Sequence, residues 1–347
     1  MGQNAPYLCI AKRVTGHGVN SNFKMRGGYI LKLDKKLSFV IPCYYSEKTI
    51  SLVVDDIFKA FPKEDYQYEI ILVNDGSKDN TFSVIKGLAD KFPQVVAVNL
   101  AKNFGQDAAL MAGYTYATGE YIISLDDDCQ NPPAEAHKLI AKIEEGYDAV
   151  FGKYHTKQHS AFKNWGSRLN DKMATMLLKK PKDLTLCSYF IMNSFVKNEM
   201  LRYDSAFPYI WGLILRTTDH ITNVFIDHKK REVGTTTFTL GKLILLWLNG
   251  FTSFSVKPLR IASFLGGFFA FLGFLLTIIM VVRQFICPEP IIGWTSLMCA
   301  LLIVSGLNML MLGLLGEYIG RIFISQNKSP QFVVRQLYRQ AKREENE

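Results

Sequence analysis

The stretch YIISLDDDCQNPP (121–133) decides the fold of this chain. A short apolar run is followed at once by three adjacent acids and then by Pro-Pro, which is a turn signal. A short run of this kind is typical of a strand in the middle of a parallel sheet, where both faces are covered. The sequence therefore predicts a strand over 121–126 that ends in carboxylates.

The same pattern recurs on both sides of this stretch. Further short β-branched runs predict strands at 37–42, 68–74, 95–99 and 149–152, and helical patterns lie between them. Such alternation indicates an α/β domain with a mostly parallel sheet. Ligands bind outside the carboxyl ends of strands in these sheets, and polar motifs follow four of the five predicted strands. We therefore expect these motifs to meet along one edge.

The acids Asp126, Asp127 and Asp128 indicate a cation site. Adjacent carboxylates repel one another unless a cation or hydrogen-bond donors compensate. Their hard oxygen atoms suit Mg²⁺ or Mn²⁺, which bind one or two carboxylates together with substrate phosphates. The alternative is an acidic loop without a ligand.

The motif VNDGSKDNT (73–81) follows the second predicted strand and has two interpretations. Asp75-Gly76 is a turn signal, and Ser77 or Asp79 could cap the next helix, which would make the motif a simple connection. In the functional interpretation, Asp75 forms a hydrogen bond to the base of a bound nucleotide.

Two long uncharged stretches predict membrane-spanning helices. Residues 261–282 form a 22-residue run without a charge, which is about 33 Å long as a helix. A second uncharged run, 291–316, is long enough to span with some tilt. The alternative is a buried helical hairpin in a large soluble core.

Basic flanks predict the orientation of this hairpin. Lys257 and Arg260 precede it and six basic residues follow Gly320, whereas the connecting loop 283–290 has only Arg283 against Glu289. We therefore expect both flanks, and the α/β domain, on the cytoplasmic side. The segment 240–256 repeats apolar residues at helical spacing, which favours a helix in the membrane interface or one packed against the α/β domain.

The remaining composition excludes several classes of protein. The net charge of +9 lies mainly along membrane-flanking segments, which favours anionic lipid over nucleic acid as the partner. The six cysteines form no CxxC pair and no zinc-like spacing with histidine, so they are expected to be small apolar fillers. No apolar segment near the N-terminus resembles a signal peptide.

Four motifs in this order resemble the inverting enzymes of glycosyltransferase family 2, which have the GT-A fold. They are VIPCYYSE (40–47), VNDGSKDNT (73–81), NFGQDAAL (103–110) and LDDDCQNPP (125–133). Within that family the chain is similar to the dolichol-phosphate mannose synthase and bactoprenol glucosyltransferase branch. The segments REVG (231–234), FTSFS (251–255), PLR (258–260) and LGEYIGR (315–321) extend the likeness, which covers roughly residues 37–330.

The resemblance implies a role for each matching residue. Three positions hold the donor nucleoside, namely Pro42, Tyr44 and Glu47. Asp75 reads the base, and Asp127 lies near the nucleotide. The positions that bind a metal, Mg²⁺ or Mn²⁺, are Asp126, Asp128 and Gln130. Asp128 and Arg231 are the expected catalytic residues, since Arg231 matches an arginine that approaches the phosphates.

The chain departs from the family pattern at several positions. Tyr45 stands where the family commonly has Asn, and Asn74 replaces the first acid of a DDGS motif. Lys153 and Lys157 stand in place of arginines, and 235–237 is a run of three threonines where a lysine is frequent. The sugar or the phosphate contacts are therefore expected to differ from those of better-known members.

The resemblance implies a reaction as well as a fold. A hexose-type sugar would pass from a nucleotide sugar, UDP-linked rather than GDP-linked, to a polyisoprenyl phosphate such as undecaprenyl phosphate. The reaction would take place at the cytoplasmic face of a bacterial plasma membrane, with inversion at the anomeric carbon, for the synthesis of cell-surface glycans. A phosphate with a second pKa of about 6 is already ionised at neutral pH, so no general base is assigned.

The sequence has three alternative interpretations of function. A processive polysaccharide synthase also has a GT-A domain with membrane helices, but two spans are few for a pore and QxxRW is absent downstream. A non-catalytic membrane scaffold with a degenerate transferase domain is a second alternative. A nucleotidyltransferase would have a glycine-rich, lysine-containing loop after the first strand, which is absent here. Assembly into a homo-oligomer is left open.

These patterns predict five segments. They are a basic, poorly ordered leader (1–36), a GT-A catalytic domain (37–239), an amphipathic juxtamembrane segment (240–260), a transmembrane hairpin (261–316) and a cytoplasmic basic tail (317–347).

Overall fold

A computed structural model describes most of the catalytic part of the chain. The described residues are 25–26, 29–30, 33–154, 180–181, 183–228, 293–327 and 329–340, together with scattered helical positions between 264 and 286. The chain divides into two compact units. The first comprises Met1–Gly166, Lys180–Thr236 and Pro330–Glu347, and the second comprises Ser167–Lys179 and Thr237–Ser329.

The first unit is built on an eight-stranded sheet. Its strands are β3 (Leu33–Cys43), β4 (Tyr66–Asn74), β5 (Val95–Leu100), β6 (Tyr121–Ser124), β7 (Ala149–Tyr154), β8 (Phe190–Asn193), β9 (Ile221–Ile226) and β10 (Val334–Arg339). They lie in the order β10-β5-β4-β3-β6-β8-β7-β9. A separate two-stranded antiparallel hairpin joins β1 (Met25–Arg26) to β2 (Tyr29–Ile30).

The sheet is mostly parallel, as the sequence predicted. The block β5-β4-β3-β6 is parallel throughout, and β7 and β9 are parallel to each other. β8 runs antiparallel to both β6 and β7, and β10 runs antiparallel to β5 at one edge. β3 begins earlier than the predicted strand, and β6 ends at Ser124, so Asp126 lies in the following loop.

Helices cover the sheet. They are α1 (Ile50–Ala60), α2 (Thr81–Lys91), α3 (Gln106–Tyr116), α4 (Ala136–Ile143), α5 (Ser194–Leu201) and α6 (Ile210–Thr217). A short 3₁₀ turn, Pro133–Glu135, leads into α4. In α1 the buried residues Ile50, Val53, Val54 and Ile57 have the spacing of one helix face. The central strands are buried along most of their length because both faces are covered.

One close approach brings α3 against the sheet. A Cβ atom at Gly113 would lie 2.3 Å from Cγ1 of Val40 in β3, so only glycine lets the helix pack this close. α3 begins directly beside the carboxyl edge of the sheet, where Gln106, its first residue, donates a hydrogen bond to Asp126.

The second unit contains one long apolar helix, α7 (Trp294–Gln326). Its segment Val304–Ile324 has a mean hydropathy of 1.4, and among the described residues it is the one helix long and apolar enough to cross a membrane. Its apolar side chains, including Met309, Leu312 and Ile319, are exposed in this chain, whereas the core helix of a soluble protein would bury them.

The predicted pair of spans is therefore not established. The candidate segment begins and ends later than the predicted second span, 291–316, and the helix continues through Glu317 and Arg321. Of the first span, 261–282, only scattered positions are described, together with a shorter apolar helix, Gly266–Leu275. The juxtamembrane segment 240–260 lies outside the described residues.

Candidate active site

The polar motifs meet at the carboxyl edge of the parallel block. β3, β4, β5 and β6 end there, and the loops that follow them exchange hydrogen bonds. Tyr44 after β3 bonds to Asp127 after β6, and Asp75 after β4 bonds to Asn103 after β5. The structure thus brings the motifs together along one edge of the sheet, as the sequence predicted.

Asp127 joins the first motif to the acidic loop. Its Oδ2 accepts a hydrogen bond from the N–H of Tyr44 at 3.2 Å and another from the hydroxyl of Ser46. Burial raises the pKa of Asp127, while the bond from Ser46 works in the opposite direction. The middle acid of the cluster therefore fixes the backbone of the loop that carries Tyr44.

Asp126 is held by neutral donors. Gln106, the first residue of α3, donates from Nε2 to Oδ1 at 2.8 Å, and Ser188 and Asn131 donate to Oδ2. Burial, together with the charges of Asp128 and Asp127, raises the pKa of Asp126 to about 6, although the hydrogen bonds from Ser188 and Gln106 act in the opposite direction. The repulsion expected from three adjacent acids is therefore present.

Asp128 lies at the turn that closes the acidic loop. Its Oδ1 accepts a hydrogen bond from the N–H of Gln130 at 3.1 Å. Cys129 between them has φ of 60°, a left-handed conformation that turns the chain sharply. The turn brings Asp128 and Gln130, two of the predicted metal positions, side by side.

The side chains of the acidic loop supply only some of the ligands that a divalent cation needs. Among the described residues, no group of three or more His, Cys, Asp or Glu side chains forms a metal cage. Mg²⁺ and Mn²⁺ do not need one when substrate phosphates complete the shell, and a cation would relieve the repulsion within 126–128. The residues therefore fit an ion that binds together with a diphosphate.

Asp75 organises the loop after β5. It is 3% exposed, and its carboxylate accepts hydrogen bonds from the N–H of Phe104 at 2.7 Å, the N–H of Gly105 at 2.9 Å and Nδ2 of Asn103 at 2.9 Å. Burial raises the pKa of Asp75, and the bonds from Phe104 and Gly105 lower it. Both carboxylate oxygens already have donors, so the contact predicted with a base stays a prediction.

Gly76 is required where this loop crosses the β4 turn. Its φ is 64°, and a Cβ atom there would lie 2.4 Å from the backbone of both Lys102 and Asn103. The loop 101–105 is therefore pressed against the turn at Asp75-Gly76, which accounts for the Asp-Gly signal in the sequence.

Pro42, Tyr44 and Glu47 surround the end of β3. Pro42 lies opposite Val73 of β4. On its other side, the pairing of β3 with β6 already ends at Val40 and Ser124. The missing N–H of Pro42 therefore interrupts no hydrogen bonds between β3 and β6. Tyr44 is half exposed, and Oε2 of Glu47 accepts a hydrogen bond from the N–H of Asn80 at 3.1 Å. These predicted nucleoside positions lie at the same edge as Asp75.

Four side chains that form hydrogen bonds to the acids of the site had no predicted role. Ser46, Asn103 and Gln106 lie inside the quoted motifs, and a polar side chain next to a strand end was the signal that could have found them. Ser188 precedes β8 in a stretch without a recognisable motif. Arg231, one of the two predicted catalytic residues, lies outside the described residues, as does Lys157.

Asp107 is a further carboxylate close to this edge. It follows Gln106 in the first turn of α3, and burial raises its pKa to about 7, while the N–H of Ile210 in α6 works in the opposite direction.

Two protein-family models match the chain. The family model "Glycosyl transferase family 2" matches residues 38–202, and the model "GtrB C-terminal hairpin" matches residues 257–322. The chain is 31% identical over 305 residues to an undecaprenyl-phosphate 4-deoxy-4-formamido-L-arabinose transferase of Proteus mirabilis, covering 87% of this chain and 94% of that protein. It is 30% identical, with the same coverage, to the uncharacterized glycosyltransferase YkcC of Bacillus subtilis.

Among solved structures, the chain is similar to glucosyl-3-phosphoglycerate synthase from Mycobacterium tuberculosis. The TM-score is 0.48 at 16% identity, and the match covers 63% of this chain and 78% of the other. The α/β sheet with its polar carboxyl edge and the near full-length relatives together define a glycosyltransferase. The chain belongs to glycosyl transferase family 2, in the branch of the bactoprenol glycosyltransferases.

Proposed function

We propose that this enzyme transfers a hexose-type sugar from a nucleotide sugar, UDP-linked rather than GDP-linked, to a polyisoprenyl phosphate at the cytoplasmic face of a membrane. The observation that carries the lipid acceptor is the similarity to an undecaprenyl-phosphate transferase over 94% of that protein's length. The sugar in that relative's name is an arabinose derivative, which is a pentose, so the hexose rests on the resemblance of the motifs to the bactoprenol glucosyltransferase branch. The similarity to that transferase spans both the domain with the polar edge and the region that the hairpin model matches, which supports a donor site and a membrane attachment in one chain.

The donor would lie along the carboxyl edge. Asp75 holds the loop 103–105, and Tyr44 and Glu47 border the same edge. This arrangement suits a nucleoside at the β3 and β4 ends and a diphosphate near the acidic loop. The donor nucleoside would contact Pro42, Tyr44 and Glu47, while Asp127 fixes the backbone beneath them.

A Mg²⁺ or Mn²⁺ ion would be held by Asp128, together with Gln130 and Asp126 and the donor diphosphate. When bound, the ion supplies positive charge that stabilises the leaving nucleoside diphosphate. Arg231 would add a fixed positive charge to the same phosphates. Hydrogen bonds from Gln106 and Ser188 would orient the carboxylate of Asp126 for this role.

The acceptor explains why no base is assigned. A lipid phosphate is ionised at neutral pH and is itself the nucleophile. In-line attack on the anomeric carbon breaks the bond to the nucleoside diphosphate, which leaves with the electron pair. An α-linked donor would therefore give a β-linked sugar phosphate on the lipid.

The membrane arrangement follows from the acceptor. A polyisoprenyl chain stays in the bilayer, and only its phosphate reaches the enzyme. The exposed apolar surface of α7 and the match to a hairpin model over 257–322 support two spans. Basic residues on both sides of the hairpin support a cytoplasmic catalytic domain.

The test is transfer by the purified full-length chain in detergent. The protein is incubated with Mg²⁺ or Mn²⁺, undecaprenyl phosphate and a panel of UDP- and GDP-sugars, including UDP-linked 4-deoxy-4-formamido-L-arabinose. We expect one donor to give a lipid-linked sugar that is absent without undecaprenyl phosphate. Release of nucleotide from every donor at background rate, with no lipid product, would reject the proposal.

A further inference from the structure

Tyr45 has an unusual backbone conformation. Its φ is 57°, and within the described part of the chain it shares positive φ with Cys129 alone among non-glycine residues. This region is unfavourable for a bulky L-residue, and such strain persists only where the surroundings impose it.

The surroundings of Tyr45 impose this conformation through three consecutive amides. The N–H of Tyr44 donates to Asp127, the N–H of Tyr45 donates to Oγ of Ser77 at 3.1 Å, and the N–H of Ser46 donates to Oγ1 of Thr81 at 2.9 Å. Side chains from two different loops thus fix the turn on both sides of Tyr45.

The strain is not compensated by burial of the ring. Tyr45 is 52% exposed and Tyr44 is 50% exposed, although both are large aromatic residues. Their ring centroids lie 4.6 Å apart with an interplanar angle of 77°. The two rings therefore form a half-exposed aromatic corner, in which they meet nearly edge to face.

The corner lies beside Asp75. The N–H of Asp75 donates to the carbonyl of Cys43 at 2.9 Å, directly before the two tyrosines. Burial, the hydroxyl of Tyr45 and the charge of Asp75 all raise the pKa of Tyr44. The rings thus border the part of the edge where the donor nucleoside is expected.

We propose that Tyr45 is a donor-binding residue whose ring stacks against the base of the bound nucleoside diphosphate, while the ring of Tyr44, nearly perpendicular to it, meets the edge of the base. This inference rests on the proposed function and adds a residue to it. Stacking of a base on an aromatic side chain is tolerant of base identity and contributes about tenfold or more in affinity. The strained turn is maintained because it holds the second ring at the donor edge.

The test compares the full-length wild type with Tyr45→Asn and Tyr45→Phe. Binding of UDP, GDP and inorganic pyrophosphate is measured by calorimetry with Mn²⁺ in detergent, and thermal midpoints are measured without ligand. Asn tolerates the left-handed region, so Tyr45→Asn relieves strain but removes the ring. Tyr45→Phe keeps both the strain and the ring.

We expect two opposite changes in Tyr45→Asn. Its midpoint rises by about 2 °C, while its affinity for the nucleotides that the wild type binds falls about tenfold and its affinity for pyrophosphate is unchanged. Tyr45→Phe should match the wild type in all measurements.

Other outcomes overturn the inference. Unchanged nucleotide affinity in Tyr45→Asn would make the ring incidental, and an equal loss for pyrophosphate would mean that the variant disturbs the loop instead. A loss in Tyr45→Phe would assign the effect to the hydroxyl. If the wild type binds neither UDP nor GDP, the proposed function itself fails. If the wild type binds a nucleotide and Tyr45→Asn binds it equally well, only the role of Tyr45 fails.

Discussion

The N–H of Ala101 donates a hydrogen bond to the carbonyl oxygen of Val333 at 2.8 Å, and Arg335 donates in turn to the carbonyl of Ala101 at 3.2 Å. These bonds extend the pairing of β10 with β5 into the loop that carries Asn103. β10 therefore completes the sheet at the edge of β5 and contacts the start of the loop that carries Asn103.

Deleting residues 330–347 should weaken both the fold and donor binding. The deletion removes the β10 ladder and leaves the edge of β5 unpaired, which we expect to cost about 2–4 kcal/mol at roughly 1 kcal/mol per hydrogen bond. Because the loop 101–105 loses its support, the KM for the donor should rise. Thermal midpoint and donor kinetics of the purified protein are the measurements.

The matched control is deletion of 341–347, which removes Lys342 and Arg343 but leaves β10 in place. It should behave like the wild type. If the longer deletion also leaves midpoint and KM unchanged, β10 has no role in supporting the site.

Asp75→Ala and Asn103→Ala should both raise the KM for the donor more than they lower kcat at saturating donor. Asp75 holds the loop 103–105 through three hydrogen bonds, of which Asn103 supplies one. The effect of Asn103→Ala should therefore be the smaller, several-fold rather than tenfold or more. A fall in kcat without a change in KM in either variant would contradict this positioning role.

Asp128→Asn should abolish transfer without loss of stability. The variant keeps the shape of the side chain but removes one charge from three adjacent acids, so the thermal midpoint should stay equal or rise. Asp56→Asn, which breaks an exposed contact with Lys59, is the control and should leave turnover unchanged. Turnover of Asp128→Asn at the wild-type level, at matched metal, would reject the assignment of Asp128.

The parallel block was predictable because its strands have strong local signals. Buried on both faces, β3 to β6 appear in the sequence as short apolar runs, and each is followed by the turn or acidic residues that the edge requires. β8 and β9 are shorter or less buried, and β10 has mostly exposed residues. An edge strand with few buried side chains has no periodic apolar pattern. The sequence of β10, VRQLYR (334–339), was therefore predicted to be part of the basic tail 317–347.

The acidic site was predictable in its location but not in its hydrogen bonds. Adjacent acids after a strand indicate a ligand edge, yet the sequence does not specify which neighbours will satisfy which oxygen. Asp75 was expected to face a base, whereas its carboxylate bonds to the loop after β5, 28 to 30 residues away along the chain. Such non-local pairs depend on the register of the strands.

Glu69 provides a prediction about pH. This buried carboxylate accepts hydrogen bonds from Oγ of Ser38 at 2.7 Å, the N–H of Thr118 at 2.6 Å and Nζ of Lys36 at 2.8 Å, and Arg339 of β10 lies 3.5 Å away. Burial raises its pKa, but the bonds from Lys36, Thr118 and Ser38 outweigh burial and hold the pKa below the ordinary 4.5.

A lowered pKa means that the unfolded chain binds this proton more readily. The stability that Glu69 contributes is therefore complete above about pH 4.5 and is lost as the pH falls through the folded-state pKa. Glu69→Gln should lower stability by roughly 1–3 kcal/mol at pH 7 and should show a smaller further loss in acid than the wild type. Glu145→Gln, at an exposed contact with Lys142, is the control. Parallel pH curves for wild type and Glu69→Gln would contradict the prediction.

The last prediction concerns the orientation of the proposed hairpin. Uncharged length predicts spans at 261–282 and 291–316, and the basic flanks predict that only the loop 283–290 lies outside the cell. Cys287 is already in that loop. In a variant without the other five cysteines, a reagent that cannot cross the membrane should label Cys287 in intact cells. A second variant that also replaces Cys287 and carries Lys342→Cys should be labelled only after permeabilisation. Labelling at position 342 in intact cells, with Cys287 protected, would reverse the topology. It would also place the donor edge away from cytoplasmic nucleotide sugars, which would reject the proposed reaction.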